Sequence, residues 1–401
     1  MNNGSYQIIK TGKDSSVSDN CIFWGNGFNR ALYSFEKQSK DCEFSWDNLL
    51  AGLEKKFGIS YDCRNLLTLE FERMVYEYLS KKAPSADDVY YNIFDSFKDE
   101  LRKNMSDISF FSKKEANREY YFYLLEMIRK KKISSIITTN YDYNLEFVID
   151  EKFRPSERLH QKIEEKYPCY CPFPNMVHGI EFYHAHGQLD NPKTMCLGYR
   201  QYSIITAQLE HDLVYGRDRT SDGNNINEQE YVRNARKKAK NHKPSCVALK
   251  LNGIIPFNTP FWGEKFFTSN VAFVGFGLDK SEMDIWWVIT FRAFLYYVNH
   301  DNMRNKIKNR VVFYDLINCG KKCNYDNNNK PIGLLDKAND SKIGFYKLLA
   351  SNHIDINLHP IFDDNEYDMY YYGYQDILKD IYMNGIAPNI CYNEILSYKR
   401  S

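Results

Sequence analysis

A chain of 401 residues is long for one domain and short for three, so one domain with a large insertion, or two domains, is expected. Apolar residues make up 43 % of it, enough for a substantial core, and 53 Lys plus Arg stand against 52 Asp plus Glu for a formal charge of +1. That balance excludes a surface-wide electrostatic grip on nucleic acid, and the basic run Arg233–Lys243 reads as a solvated helix face.

In chain order, residues 1–18 form a polar tail without the apolar core of a signal peptide. The apolar run Cys21–Trp24 reads as a buried strand, followed by Gly25-Asn26-Gly27-Phe28-Asn29 at the start of a helical pattern. About a hundred residues then read as nearly all helix, with apolar residues at helical spacing in Trp46–Phe57, Leu66–Leu79, Val89–Leu101 and Arg118–Lys130. We assign 41–131 to an inserted helical module. Strand Ser134–Thr138 leads into Thr138-Thr139-Asn140-Tyr141-Asp142 and a helix over Tyr143–Asp150. The proline-bearing stretch Arg154–Val177 reads as loop, and strand Glu181–His184 continues into Ala185-His186-Gly187. A polar stretch ending in a basic helix occupies Arg217–Lys243. Strand Val271–Gly275 runs into Phe276-Gly277-Leu278-Asp279, and a helix over Glu282–Tyr297 follows.

The apolar stretch Ile285–Val298 falls short of the roughly 20 residues that span a bilayer and carries Arg292 in its middle. It reads as a buried core helix. Strands Val311–Asp315 and Ile354–Leu358, with helices Ile343–Ala350 and Gln375–Tyr382, complete the pattern. Strands alternating with helices predict an α/β fold: a Rossmann-like parallel sheet with helices on both faces, built from 19–40 and 132–401 and interrupted after the first strand–helix unit. With neither leader nor membrane span, a cytoplasmic protein is expected, with no membrane partner and no direct nucleic-acid binding.

Four short tracts at strand ends carry the candidate chemistry. Glycines at Gly25 and Gly27 let a backbone turn sharply and approach a phosphate at a helix N-terminus, although a plain strand-to-helix turn has the same pattern. The tract Thr139 to Asp142 holds more polar side chains than one helix cap needs, which points to ligand contacts. His184 and His186 fall on one face of an extended chain, and neutral imidazole near a crevice suits a general base. Their spacing with Cys169 and Cys171 fits no familiar zinc pattern, so no metal is expected. Gly275, Gly277 and Leu278 form a second glycine-bearing turn, and two such turns suit a dinucleotide.

In this order the four tracts resemble the sirtuin superfamily, and more closely its bacterial branch of NAD-consuming anti-phage defence proteins. The follow-on residues Leu197-Gly198-Tyr199 and Tyr202 share that likeness. Deacylating sirtuins carry a zinc ribbon of two CxxC pairs, and Cys196, Cys246, Cys319 and Cys323 form none here. The resemblance implies hydrolysis of NAD+ to nicotinamide and ADP-ribose, as the toxic effector of an abortive antiviral response. It places Gly25, Asn26, Gly27 and Asn29 by the pyrophosphate, with Thr139, Tyr141, Gly275, Gly277 and Leu278 also on NAD+. Asn140 would hold the nicotinamide ribose and attacking water, Asp142 would orient that loop or the base, and His186 would take the proton. Alternatives are NAD-dependent transfer or deacylation and a catalytically silent NAD-sensing module. About forty residues follow the last expected strand, so control is expected from outside, through a homo-oligomer or a separate partner such as a HerA-type ATPase.

Overall fold

Short, nearly uninterrupted apolar runs form strands here because they are buried on both faces of one sheet. A computed structural model of the chain describes residues 19–37, 46–59, 67–82, 118–153, 174–188, 191, 194–217, 227–239, 243–257, 261–278, 282–298, 303–327, 331–362 and 368–399. The sheet has seven strands: β1 (Asn20–Trp24), β2 (Ser135–Thr138), β3 (Asn175–Val177), β4 (Ile180–His184), β5 (Asn270–Val274), β6 (Val311–Asn318) and β9 (Asp355–Ile361). Their order in space is β3-β4-β2-β1-β5-β6-β9, parallel throughout except for β3 against β4. From β1 the chain steps outward to β2 and β4, then crosses back to lay β5 on the other side of β1. The order therefore reverses between β1 and β5, which is where ligands of open α/β sheets bind, outside the carboxyl ends of the strands.

Strand alternation divides the interior into two layers. Cys21, Phe23, Ile137, Tyr183, Val271 and Phe273 pack on one face. Helices α6 (Tyr199–Glu210), α9 (Trp262–Thr268), α10 (Met283–Val298) and α13 (Asp340–Ser351) cover that face through Tyr202, Ile205, Trp262, Phe266, Ile285, Val288, Tyr346 and Leu349. Ile22, Trp24, Ile136, Phe182, Ala272 and Val274 pack on the other. There α1 (Gly27–Lys37), α4 (Phe122–Arg129), α5 (Asn144–Ile149) and α14 (Met369–Asn384) supply Phe28, Leu32, Leu124, Met127, Leu145, Ile377 and Leu378. The helices α7 (Glu228–Lys238), α8 (Cys246–Leu251), α11 (Met303–Lys306), α12 (Leu334–Lys337) and α15 (Tyr392–Ser397) complete the shell. No helix among the described residues is long and apolar enough to cross a membrane.

Within the helical stretch between β1 and β2, α2 (Trp46–Phe57) and α3 (Leu67–Lys82) match their expected positions. The helix expected over Val89–Leu101 lies outside the described residues. The helix nearest β2, α4, buries Leu124 and Met127 against the sheet.

Two elements depart from the sequence reading. Asn175–Val177, read as the end of a loop, is the antiparallel edge strand β3, joined to β4 by His178 and Gly179 at φ +48° and +81°. Three residues are too few to show a period of two, and the preceding prolines masked them. A small hairpin of β7 (Asn324–Tyr325) and β8 (Pro331–Ile332) was likewise not foreseen.

Arg292, in the middle of α10, is buried and binds backbone at the amino edge of the sheet. Its Nε donates to the Phe266 carbonyl at 3.0 Å, and its terminal nitrogens donate to those of Asn309 at 2.7 Å and His353 at 3.5 Å. Burial lowers its pKa from the usual 12.5 to about 10, so it remains charged at neutral pH. Arg292→Met is expected to lose about 2–4 kcal/mol in urea unfolding, because it strips the Asn309 and His353 carbonyls of this donor and leaves Phe266 O only Asn309 Nδ2. Arg292→Lys should recover only part, since one ammonium cannot replace a fork of donors. A loss below about 1 kcal/mol would show that these carbonyls are satisfied by water.

Candidate functional site

The loops that follow β4, β2, β1 and β5 meet at the carboxyl edge of four adjacent parallel strands. At its centre the turns after β1 and β5 are bonded backbone to backbone: Gly25 N donates to Val274 O at 2.9 Å and Gly27 N to Gly275 O at 2.8 Å. A Cβ on Gly25 would stand 2.2 Å from the Gly275 oxygen, and one on Gly27 would stand 2.4 Å from the Tyr374 hydroxyl. The bare faces of these two glycines are therefore filled by protein, turn against turn. Gly277 differs: it is exposed, and a Cβ there would meet nothing within 4 Å. Beside it Leu278 is buried at φ +46°.

Phe28 wedges beneath these turns, stacked on Trp24 at 3.7 Å and on Tyr374 at 4.5 Å. Asn26 is half-exposed on the rim, whereas Asn29 is buried and donates through Nδ2 to Asp142 Oδ2 at 3.2 Å. Helix α1 opens at Gly27 with no acidic residue in its first turn, so its partial positive charge faces the same edge.

The loop after β2 is held from three sides. Thr138 Oγ1 donates to the Trp24 carbonyl at 2.9 Å and accepts Asn140 N at 3.0 Å. Tyr141 donates its hydroxyl to the Cys196 carbonyl at 2.5 Å. Asp142 accepts Asn144 N at 3.0 Å as well as Asn29. Burial raises the Asp142 pKa from the ordinary 3.8 to about 6, with Glu146 adding to the rise and the Asn144 amide and His184 opposing it. Thr139 and Asn140 remain half-exposed at the carboxyl edge.

The two histidines have separate surroundings. His184, the last residue of β4, is fully buried; its Nε2 is 2.7 Å from Glu146 Oε1 and its Nδ1 is 2.9 Å from the Asn140 carbonyl. A carboxylate and a carbonyl both accept, so the set is fully bonded when both nitrogens donate, as in the imidazolium. Burial opposes that charge, but Glu146 and the Asn140 carbonyl outweigh it and raise the pKa above 6.5. His186 lies past the strand end, where alternation no longer holds. Its Nε2 is 3.1 and 3.3 Å from the two Asp284 oxygens, and its Nδ1 is 3.4 Å from the Tyr202 hydroxyl.

His184 thus sits against Tyr143 in one layer and His186 against Tyr202 in the other, so the single face expected for the pair is not what forms. The chain turns at Gly187, φ +92°, where a Cβ would stand 2.1 Å from the Thr194 carbonyl. Asp142 contacts Asn29 and its own loop, whereas His186 contacts Asp284 and Tyr202.

The sequence reading missed Glu146 as the partner of His184 and Asp284 as the partner of His186. Each is an acidic residue set among apolar ones, in NLEFVI and in MDIWWVITF, and that was the available signal. Among the described residues no three His, Cys, Asp or Glu side chains converge as a metal site requires.

The His184 pair fixes a direction of pH dependence. Its pKa is raised in the folded chain, so its stabilisation is complete below about 6.5, the unfolded value, and is lost as pH rises through the folded value. Glu146→Gln should be less stable than the parent by about 3 kcal/mol near pH 6, and the gap should narrow at alkaline pH. A gap independent of pH in urea melts would mean the ring is neutral. The glycines supply a second contrast. Gly25→Ala should lose about 1–3 kcal/mol through overpacking, while Gly277→Ala should stay within about 0.5 kcal/mol of the parent in thermal melts. Equal losses would refute the assignment of open space to Gly277.

No curated protein matches the chain. Residues 134–293 match the family model described as the SIR2-like domain, a span that contains Asn140, Asp142, both histidines, Tyr202 and Asp284. Strand β1 and its glycine turn precede that span, yet β1 pairs with both β2 and β5 in the same sheet. The carboxyl edge from β2 to α10 thus lies within the stretch that is similar to a SIR2-like domain, a domain type that uses NAD+.

Proposed function

We propose that the chain hydrolyses NAD+ at the bond between nicotinamide and its ribose, giving nicotinamide and ADP-ribose. The observation that carries this reading is the His184 joint: its ring binds the Asn140 carbonyl, so the Asn140 loop and the His184–Gly187 tract form one unit. NAD+ lies along the carboxyl edge, with its pyrophosphate toward the exposed Gly277 and the N-terminus of α1 and its nicotinamide ribose toward Asn140. The bond to nicotinamide breaks with its electron pair leaving to the ring nitrogen, and the ribose becomes oxocarbenium-like. A water held at Asn140 forms the new bond to the ribose carbon. His186 receives the proton that water gives up and later returns it to solvent. Water is otherwise kept out of a buried polar site, which strengthens each charged contact in the transition state.

An NAD+ hydrolase without control would drain its own cell. We therefore place its switch in self-assembly or in a separate partner chain, a HerA-type ATPase first, and its role in bacterial anti-phage defence. Purified protein, alone and with candidate partners, should release nicotinamide from NAD+ without any acyl-lysine peptide. Release that requires an acetyl-lysine peptide would favour deacylation, and binding without release would favour an NAD+ sensor. Asn140→Ala and His186→Ala should each slow release by about 10²–10⁴-fold, the range for loss of a general base. The double variant should be scarcely slower than the worse single one, as for residues that serve one step. Full release by all three variants would place the chemistry elsewhere.

A further inference from the structure

We infer that Asp284 is the positioning residue of His186, fixing the ring as the Nε2–H tautomer so that Nδ1 is the atom that takes the proton. This rests on the hydrolase reading for its consequence in rate, but its structural half stands alone. Asp284 is the second residue of α10 and is completely buried, and both of its oxygens lie within 3.3 Å of Nε2. His186 itself is only 2 % exposed. On the opposite side of the ring the Tyr202 hydroxyl lies 3.4 Å from Nδ1. Burial holds that phenol protonated, its pKa raised well above the ordinary value, with nearby Cys196, Tyr141, Glu282 and Asp284 adding to the effect.

Of the two neutral tautomers, one satisfies both neighbours. A carboxylate accepts and needs an N–H opposite it; a phenol that donates needs a lone pair. Hydrogen on Nε2 and a free pair on Nδ1 meet both demands. The other tautomer sets a nitrogen lone pair against a carboxylate, and water has little access to separate them. When Nδ1 takes the proton from the attacking water, the O–H bond breaks, an N–H bond forms, and the water oxygen bonds to the ribose carbon. The imidazolium then stands beside the Asp284 carboxylate in a buried site, where the attraction exceeds that in water. The Tyr202 hydroxyl can turn to accept the new N–H. A buried acid in the first turn of a helix commonly serves the helix dipole alone. The two-sided approach of its oxygens to Nε2 argues for a task directed at the ring.

The test uses the full chain with 15N-labelled histidine. Two-bond couplings report which ring nitrogen carries the proton, and the His186 signal is assigned by its loss in His186→Gln. The parent should show the Nε2–H form. Tyr202→Phe should keep that form, because the carboxylate alone dictates it. Asp284→Asn should shift the ring toward the Nδ1–H form and lower kcat by about 10²–10⁴-fold with KM within about twofold, as when a triad carboxylate is replaced by its amide. In a His186→Ala background Asp284→Asn should cost nothing further. An Nδ1–H ring in the parent overturns the proposal. So does an Asp284→Asn variant with unchanged tautomer and kcat, or one whose loss persists without His186. If Asp284→Asn does not fold, the parent and Tyr202→Phe spectra still decide. If the parent releases no nicotinamide, hydrolysis fails while the tautomer answers the structural half.

Discussion

A fully buried imidazolium between a carboxylate and a carbonyl is the contact on which the carboxyl edge of this sheet depends. Taking His184 and Glu146 out of water carries a large cost, and only close geometry with every hydrogen bond made can offset it. The 2.7 Å and 2.9 Å contacts of the ring meet that condition. Their consequence is specificity of shape. The Asn140 carbonyl is the third member of the pair, so the loop after β2 cannot move away without leaving a donor unmatched in the interior. From that loop the order spreads through Asp142 to Asn29 of α1 and through Thr138 to the end of β1. Three of the four strand ends are thereby joined by side chains, and the fourth by the backbone bonds of Gly25 and Gly27 to the β5 turn.

The two histidines of one short tract divide their work because the strand stops between them. His184 still obeys strand alternation and falls in the layer of Tyr143 and Phe182. His186 has left the ladder: Ala185 N makes the last bond to Thr138 O, and the chain then turns through Gly187. That turn carries the second ring into the opposite layer, against α6 and α10. One histidine thus holds the loop that bears Asn140, and the other meets a carboxylate presented by a helix that starts immediately after the β5 turn.

What could be read from the sequence follows the same physics. Strands buried on both faces leave continuous apolar runs, so the six parallel strands were visible, and so were the polar tracts at their ends. The edge strand β3 was not, because three residues carry no period. The partners Glu146 and Asp284 stand 38 and 98 residues from the histidines they contact, separations that no local pattern encodes. The glycines were located, but one reason for them was not. Gly25 and Gly27 were expected to face a pyrophosphate, and their missing side chains also admit the Gly275 turn and the Tyr374 hydroxyl. A requirement for glycine reads the same in sequence whether the close neighbour is a ligand or another loop.

The helical stretch between β1 and β2 touches the site through Tyr120 on Phe28 and, further along, at Gly198. A Cβ on Gly198 would stand 2.2 Å from Glu72 Oε2 and 3.5 Å from the Phe71 ring, so α3 rests directly on the residue before α6. The start of that helix is closed from within by Gln201, whose Oε1 accepts the Leu197 and Gly198 amides at 3.0 and 2.9 Å. One residue further along α6 is Tyr202, the hydroxyl that faces His186. The first turn of α6 therefore has α3 on its outer side and the buried dyad on its inner side. Packed interiors deform little and tend to switch between discrete arrangements. Glu72 of α3 therefore closes on Gly198 four residues before the hydroxyl that faces His186.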